Sequence, residues 1–366
     1  MYSSIFKKAP LGLFFIGINM NKTPIISLLF CLLLASCSKP ADLFSSYEEA
    51  QSALISLNTA LSAQKNLNST GLSNEQLPFT DSYLARRHAI YQQLMQMKLS
   101  SAQTHQVNYL VIAERFPERY FAWPAHTDVL SNMLSIVKND AQYKNIEQWL
   151  IFVKSQLQAA EQSNLKLNKI EHNYLKHYVQ QAINSTDKPI ELNESLSVLN
   201  NYLTQYKPRG SIGLSGLANG SQWYQSKLNY FANDVLSPLE WLSRIDSKFK
   251  SMQGQKQHTM VEASNASQLT KLLLTDSKIV GLDWSTGYTL LPQRANTTQL
   301  EPADAQLYLA MMETDLGVHY HAWTLSQARL NLLKRLNISE EDARILVEDI
   351  IFYPGQSFSF ASQLLN

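Results

Sequence analysis

Metal-assisted hydrolysis is the first chemistry to look for in a chain with eight histidines, namely His88, His105, His126, His172, His177, His258, His319 and His321. None belongs to an H-E-x-x-H segment, the helical spacing that points two imidazoles at one zinc ion with a glutamate beside them as base. Two weaker metal candidates remain. His258 and Glu262 stand four apart, so they share a face if their segment is helical, although its Gln-rich surroundings favour solvent exposure. His319 and His321 are two apart and share a face only in extended chain. His172 and His177 diverge on a helix and, with Glu171 and Lys176 beside them, read as a solvated face. Zinc or any other cofactor is therefore not expected.

Other chemistries fare no better. No serine has a His and Asp arrangement around it that suggests nucleophilic hydrolysis. Arg209 to Gly220 contains Gly210, Gly213, Gly216 and Gly220 but lacks the lysine and spacing of a phosphate loop, so it reads as a loop entering a helix. Trp223 and Tyr224 follow it; one is assigned to the core and the other to a groove, without the sequence saying which. Asp315 either orients His319 or caps the turn before Thr324. Pro354-Gly-Gln356 follows a helix end and suits a tight turn that presents the Gln356 amide or packs it against its own helix.

The elements that must position these residues begin with a leader. Met20-Asn-Lys22 is a short positive region, Pro24 to Leu34 is apolar, and Leu34-Ala-Ser-Cys37 matches the bacterial lipobox, whose cysteine becomes acylated. Residues 1–36 are expected to be removed as a signal peptide, with Met20 as an alternative start, and residues 37–46 to form a tether attached to the membrane through acylated Cys37. Ser38 after the cysteine points to the outer membrane of a Gram-negative envelope. Cys31, the only other cysteine, lies in the apolar run, so the mature domain has no thiol for disulfides, metal or catalysis. Loss of Lys7, Lys8 and Lys22 turns the formal charge of +1 into about −2, which gives no sign of a nucleic-acid partner.

Residues 47–366 are 3.6-periodic almost throughout and read as one mostly α-helical domain. Helices are expected at about 47–66, 81–97, 125–138, 143–163, 166–183, 193–206, 222–235, 238–250, 302–315, 325–336 and 340–351. Ser237-Pro-Leu-Glu240, Thr324-Leu-Ser-Gln327 and Ser339-Glu-Glu-Asp342 are start signals with a capping mechanism. The stripes Leu325, Ala328, Leu332, Leu336 and Ala343, Leu346, Val347, Ile350, Ile351 should pack together across Asn337-Ile338. Lys278 to Leu291 suits a short strand or hairpin.

Two blocks then resemble a known family. Ile212-Gly-Leu-Ser-Gly-Leu-Ala-Asn-Gly-Ser-Gln-Trp-Tyr224 with Ser237-Pro-Leu-Glu-Trp-Leu242 is similar to the glycine-rich loop, aromatic pair and helix of the bacterial domain-of-unknown-function 885 family. Asp315-Leu-Gly-Val-His319, Trp323-Thr324 and Pro354-Gly-Gln356 resemble its D-T-G-I-H-x-x-x-W-T and P-G-Q-A-x-S-Y blocks, the likeness covering about 205–360. The resemblance implies a zincin-like helical fold among lipoproteins suspected of zinc peptidase activity. It also implies a cleft near Trp223, Tyr224, Asp315, His319, Trp323 and Gln356. The family's H-E-x-x-P-G-H-H and E-G-W-A segments, its presumed zinc ligands, are missing from the short interval Met252 to Gln306, and Phe360 and Ala361 replace its tyrosine and lysine. A catalytic zinc without three protein ligands does not hold.

The expectation is thus a lipid-anchored envelope protein, non-catalytic, that binds a peptide, a peptidoglycan fragment or a protein partner. The rivals are a metallohydrolase with ligands drawn from His258, Glu262, His319 and His321, and a structural envelope protein whose His319 region is occluded.

Overall fold

A computed structural model describes residues 44–58, 80–114, 130–131, 133–135, 137, 139–185, 189–253 and 302–365. Cys37, the leader, His126, His258, Glu262 and the expected hairpin at 278–291 lie outside them. The described chain runs α1 (Tyr47–Asn58), α2 (Asp81–Leu94), α3 (Ser101–Ala113), α4 (Asp140–Gln162), α5 (Lys169–Asn184), α6 (Ile190–Gln205), α7 (Gly220–Ala232), α8 (Pro238–Gln253), α9 (Pro302–His319), α10 (Leu325–Arg335), α11 (Glu340–Phe352) and α12 (Ala361–Leu365), with short 3-10 turns at Leu214–Gly216 and Gln356–Phe360. It is mostly α, and no strand occurs among the described residues. No helix of that set is long and apolar enough to cross a membrane.

Local chemistry explains most of the helix starts. Ser237 accepts from the Glu240 amide (3.3 Å) while the Glu240 carboxylate accepts from the Ser237 amide (2.8 Å), which satisfies two otherwise orphan donors. Thr324 and Gln327 form the same reciprocal box, and Ser339 accepts from the Asp342 amide at 3.0 Å. Two further boxes, Ser100 with Gln103 and Asn168 with Glu171, open α3 and α5. The first is a helix that the periodicity does not reveal: its leading turn is Ser-Ala-Gln-Thr, and its apolar residues crowd into Val107 to Ile112.

Packing sorts the helices into three cores. The largest joins α7 to α12 and includes Tyr224, Trp241, Leu316, Leu332, Val347, Ile350 and Phe358. The expected α10 and α11 stripes meet in it. A second core is built chiefly from α4, α5 and α6 around Trp149, Leu157, Val179 and Leu199, and a third from α1, α2 and α3 around Leu54, Tyr91, Leu94 and Leu110. Each fully buried leucine of this kind contributes about 2 kcal/mol from removed apolar surface.

His172 departs from the solvated face assigned to it. It is buried, its Nε2 lies 2.7 Å from the Leu203 carbonyl, and its ring stacks on Tyr206. The cause is local: the Asn168 cap starts α5 at Lys169, which turns His172 inward with Leu175 and Val179.

Candidate functional site

The Gly-rich loop and the end of α9 are pressed together, and α9 runs one turn further than the expected end at residue 315, to His319. A Cβ on Gly213 would sit 1.9 Å from the Val318 carbonyl oxygen, and one on Gly317 would enter the Trp323 ring. Glycine at both places lets backbone and indole approach to contact distance. Arg209 holds the loop from inside: its guanidinium donates to the carbonyls of Lys166, Ser211 and Gly213. Its Nη2 lies 3.9 Å from the Glu171 carboxylate. Burial pushes the Glu171 carboxyl up, against the pull of Arg209 and the Asn168 amide.

His319 sits in this junction with no exposed surface. The Leu214 amide donates to its Nδ1 (3.1 Å), so Nδ1 carries no proton and Nε2–H donates to the Ile350 carbonyl (2.9 Å). Burial, with smaller contributions from Arg209 and Lys227, pulls its pKa down to about 3 against the one raising influence, the Ile350 bond. It is a neutral core imidazole with both nitrogens occupied, so it neither faces an open cleft nor offers a lone pair to metal. His321 is exposed and packs edge-on against Tyr320, so the two imidazoles do not converge.

Asp315, one turn earlier, is also fully buried. It neither orients His319 nor caps Thr324. Its Oδ1 accepts from Tyr224 Oη at 2.5 Å, its Oδ2 accepts from Ser357 Oγ at 2.9 Å, and the Gly355 amide donates to both oxygens at 3.1 and 3.0 Å. Burial pushes its pKa up to about 7 despite those hydrogen bonds and nearby Lys227. The same burial and the adjacent carboxyl raise the Tyr224 hydroxyl well above its ordinary value. Trp223 and Tyr224 are both buried, so neither is left to line a groove, and the Lys227 ammonium lies 5.0 Å from the Trp223 ring centre. Pro354-Gly-Gln356 is the tight turn the sequence suggests, with Gly355 at φ +79° and Gln356 buried at the start of a 3-10 turn. Trp323 is half-buried, its amide donating to the Gly317 carbonyl at 2.8 Å.

The structure therefore ties His319 to the loop and Asp315 to Tyr224 and to the turn that holds Gln356, with Trp323 packed on Gly317 of the same helix, so Asp315 and His319 form a closed polar knot and not the walls of a groove. No group of three or more His, Cys, Asp or Glu side chains suited to metal occurs among the described residues.

An open cleft lies elsewhere, unmarked by any motif. Its volume is about 840 Å³, and it runs between α2, the end of α3 and α4, with Leu84, Met95 and Val111 as apolar lining and Asp81, Gln92 and Gln156 as polar lining. His88 and Glu114 also line it, bonded Nδ1 to Oε2 at 2.7 Å. The only signal in the sequence is the run of Asp81, Leu84, Ala85, His88, Gln92 and Met95 at helical spacing, which mixes polar and apolar types and so resembles no face.

No family model matches the chain, and no curated protein does. Among solved structures, the one entitled "The crystal structure of the putative lipoprotein from Colwellia psychrerythraea" is 11% identical with a TM-score of 0.49, over 87% of this chain and 90% of that one. A likeness at that level carries no argument about function.

Proposed function

We propose that this chain is a lipid-anchored envelope protein that works by holding a partner and not by hydrolysis. One observation carries the non-catalytic half: both nitrogens of His319 and both oxygens of Asp315 are committed to internal partners. The block that resembles a peptidase rim thereby acts as the keystone of the fold, the occlusion expected of a structural protein in that region, so the partner is assigned to the separate cleft. The anchor rests on the lipobox ending at Cys37. A peptide or envelope protein is received in the cleft beside Leu84, His88, Met95 and Glu114, which combines apolar lining with hydrogen-bonding groups as recognition sites do.

The test has two arms on the full chain. Fractionation of cells carrying the parent or Cys37→Ala should move the protein from the membrane fraction to the soluble one; unchanged partitioning removes the anchor. Purified parent should retain less than one zinc per ten chains and cleave no peptide. Stoichiometric zinc with chelator-sensitive cleavage would end the non-catalytic reading in favour of the metallohydrolase.

A further inference from the structure

The chain's last described segment, Tyr353 to Leu365, crosses the face of α7, α8 and α9 as a strap. Its apolar side is held by Phe358, which meets Trp241 edge-on at 5.5 Å between ring centres, and by Phe360, 4.3 Å from the Tyr308 ring. Its polar side is held by Asp315 through the Gly355 amide and the Ser357 hydroxyl. A carboxyl with no solvent exposure thus joins the strap to Tyr224 of α7 and to α9. We propose that Asp315 is a proton-controlled catch for this strap, so that the strap opens by itself, ahead of the rest of the fold, when Asp315 loses its proton.

The physical argument compares the closed and open states. In the closed state an ionised Asp315 is kept from water by the strap, an expensive place for a charge even with three donors. A neutral carboxyl avoids that cost, and its single O–H can turn to Ser357 Oγ, since a hydroxyl accepts as readily as it donates. Lifting the strap wets the carboxyl and returns it to the ordinary range near 3.8, whereas under the strap burial holds it near 7. The open state therefore binds fewer protons across that interval, and by linkage opening becomes easier as pH rises through it and levels off above about 7.

The neighbours do not disturb this proton count. Tyr224 and Lys227 of α7 face Asp315. Tyr224 is pushed well above its ordinary value, so it stays protonated, and the Lys227 ammonium is shared with the Trp223 and Tyr109 rings. Glu313 leaves the other side of α9 to meet Arg335 of α10, with Asp246 of α8 acting on the same guanidinium. Arg344 of α11 is tied to Glu341 and Glu348. The strap contains no Asp, Glu, Lys, Arg or His. His319, one turn from Asp315, bonds to Leu214 and Ile350, both outside the strap, so it stays buried and neutral when the strap lifts.

The experiment is hydrogen exchange of the detergent-solubilised full chain from pH 5 to 8, read by mass spectrometry on peptides from the strap, α11 and α4. After correction for intrinsic exchange, strap protection should fall with pH by up to ~10-fold per unit, the limit for one proton, and flatten above about 7, while α4 keeps its protection. Asp315→Asn should hold the strap's protection constant with pH. Ser357→Ala, which keeps the carboxyl but removes a donor that favours its ionised form, should lower protection, retain the slope and carry it to higher pH before flattening, so it decides the matter if Asp315→Asn fails to fold. A flat parental strap profile, a slope shared by all peptides, or a slope that survives Asp315→Asn each overturns the proposal.

Discussion

Replacing His319 with glutamine separates the burial of a neutral imidazole from its hydrogen bonds. Glutamine can offer a carbonyl to the Leu214 amide and an N–H to the Ile350 carbonyl, but it does not titrate. Imperfect reach to these two buried partners should cost about 1–3 kcal/mol at every pH. The pH-dependent part has a definite sign. His319 has its folded pKa depressed from 6.5 to about 3, so the unfolded chain binds the extra proton between those values and the parent loses stability as pH falls through that window. At pH 4.5, two units below 6.5, the loss amounts to about 3 kcal/mol. The variant does not suffer it. Urea denaturation followed by circular dichroism should therefore show His319→Gln less stable than parent at pH 7 and equal or superior at pH 4.5. A difference between the two that is identical at both pH values would refute the reasoning, because His319 would then titrate alike folded and unfolded. The parent's own profile conceals the effect: Asp315 is shifted the other way, its folded form holding a proton from about 4 to 7, and the two slopes oppose one another.

Two further outcomes follow from packing. Gly213→Ala drives a methyl against the Val318 carbonyl, with 1.9 Å available, so a loss of at least about 3 kcal/mol is expected; a thermal melt within 2 °C of parent, where roughly this domain size gives about 1 kcal/mol per 2–4 °C, would show that the loop can back away. Glu313→Ala strips Arg335 of both carboxylate bonds, at 2.8 and 2.6 Å, and Asn331 of one. A loss of about 2–3 kcal/mol in urea titration is expected, less than for a fully buried pair because Arg335 is partly exposed.

Local rules made a good part of this fold legible. Ser237, Thr324 and Ser339 announce their helices because capping needs only four consecutive residues, and the α10 and α11 stripes pair because their spacing encodes a face. Ser100-Ser-Ala-Gln103 carried the same signal, but α3 escaped because its first turns contain only Ala102 as an apolar residue, too little to suggest a period. The site was harder for another reason. The motif residues do assemble, yet whether Asp315 and His319 line a groove or fill a core depends on Leu214, Ile350 and Gly355, which lie from 31 to 105 positions away along the chain. No window of sequence holds that information. The cleft at His88 and Glu114 was invisible for the same cause, since α2, α3 and α4 each supply only part of its wall.

The Arg209 loop has a consequence for how damage travels. It is bonded to the start of α5 through the Asn168 side-chain amide and the Ile212 carbonyl, and through the Arg209 amide and the Leu167 carbonyl, while its far end grips α9. A rivet shared by two plates transmits whatever loosens either one. Lesions around α4 to α6 should thus be felt at His319, and cutting the chain at this loop should leave two fragments with ragged, water-exposed seams instead of two sound halves.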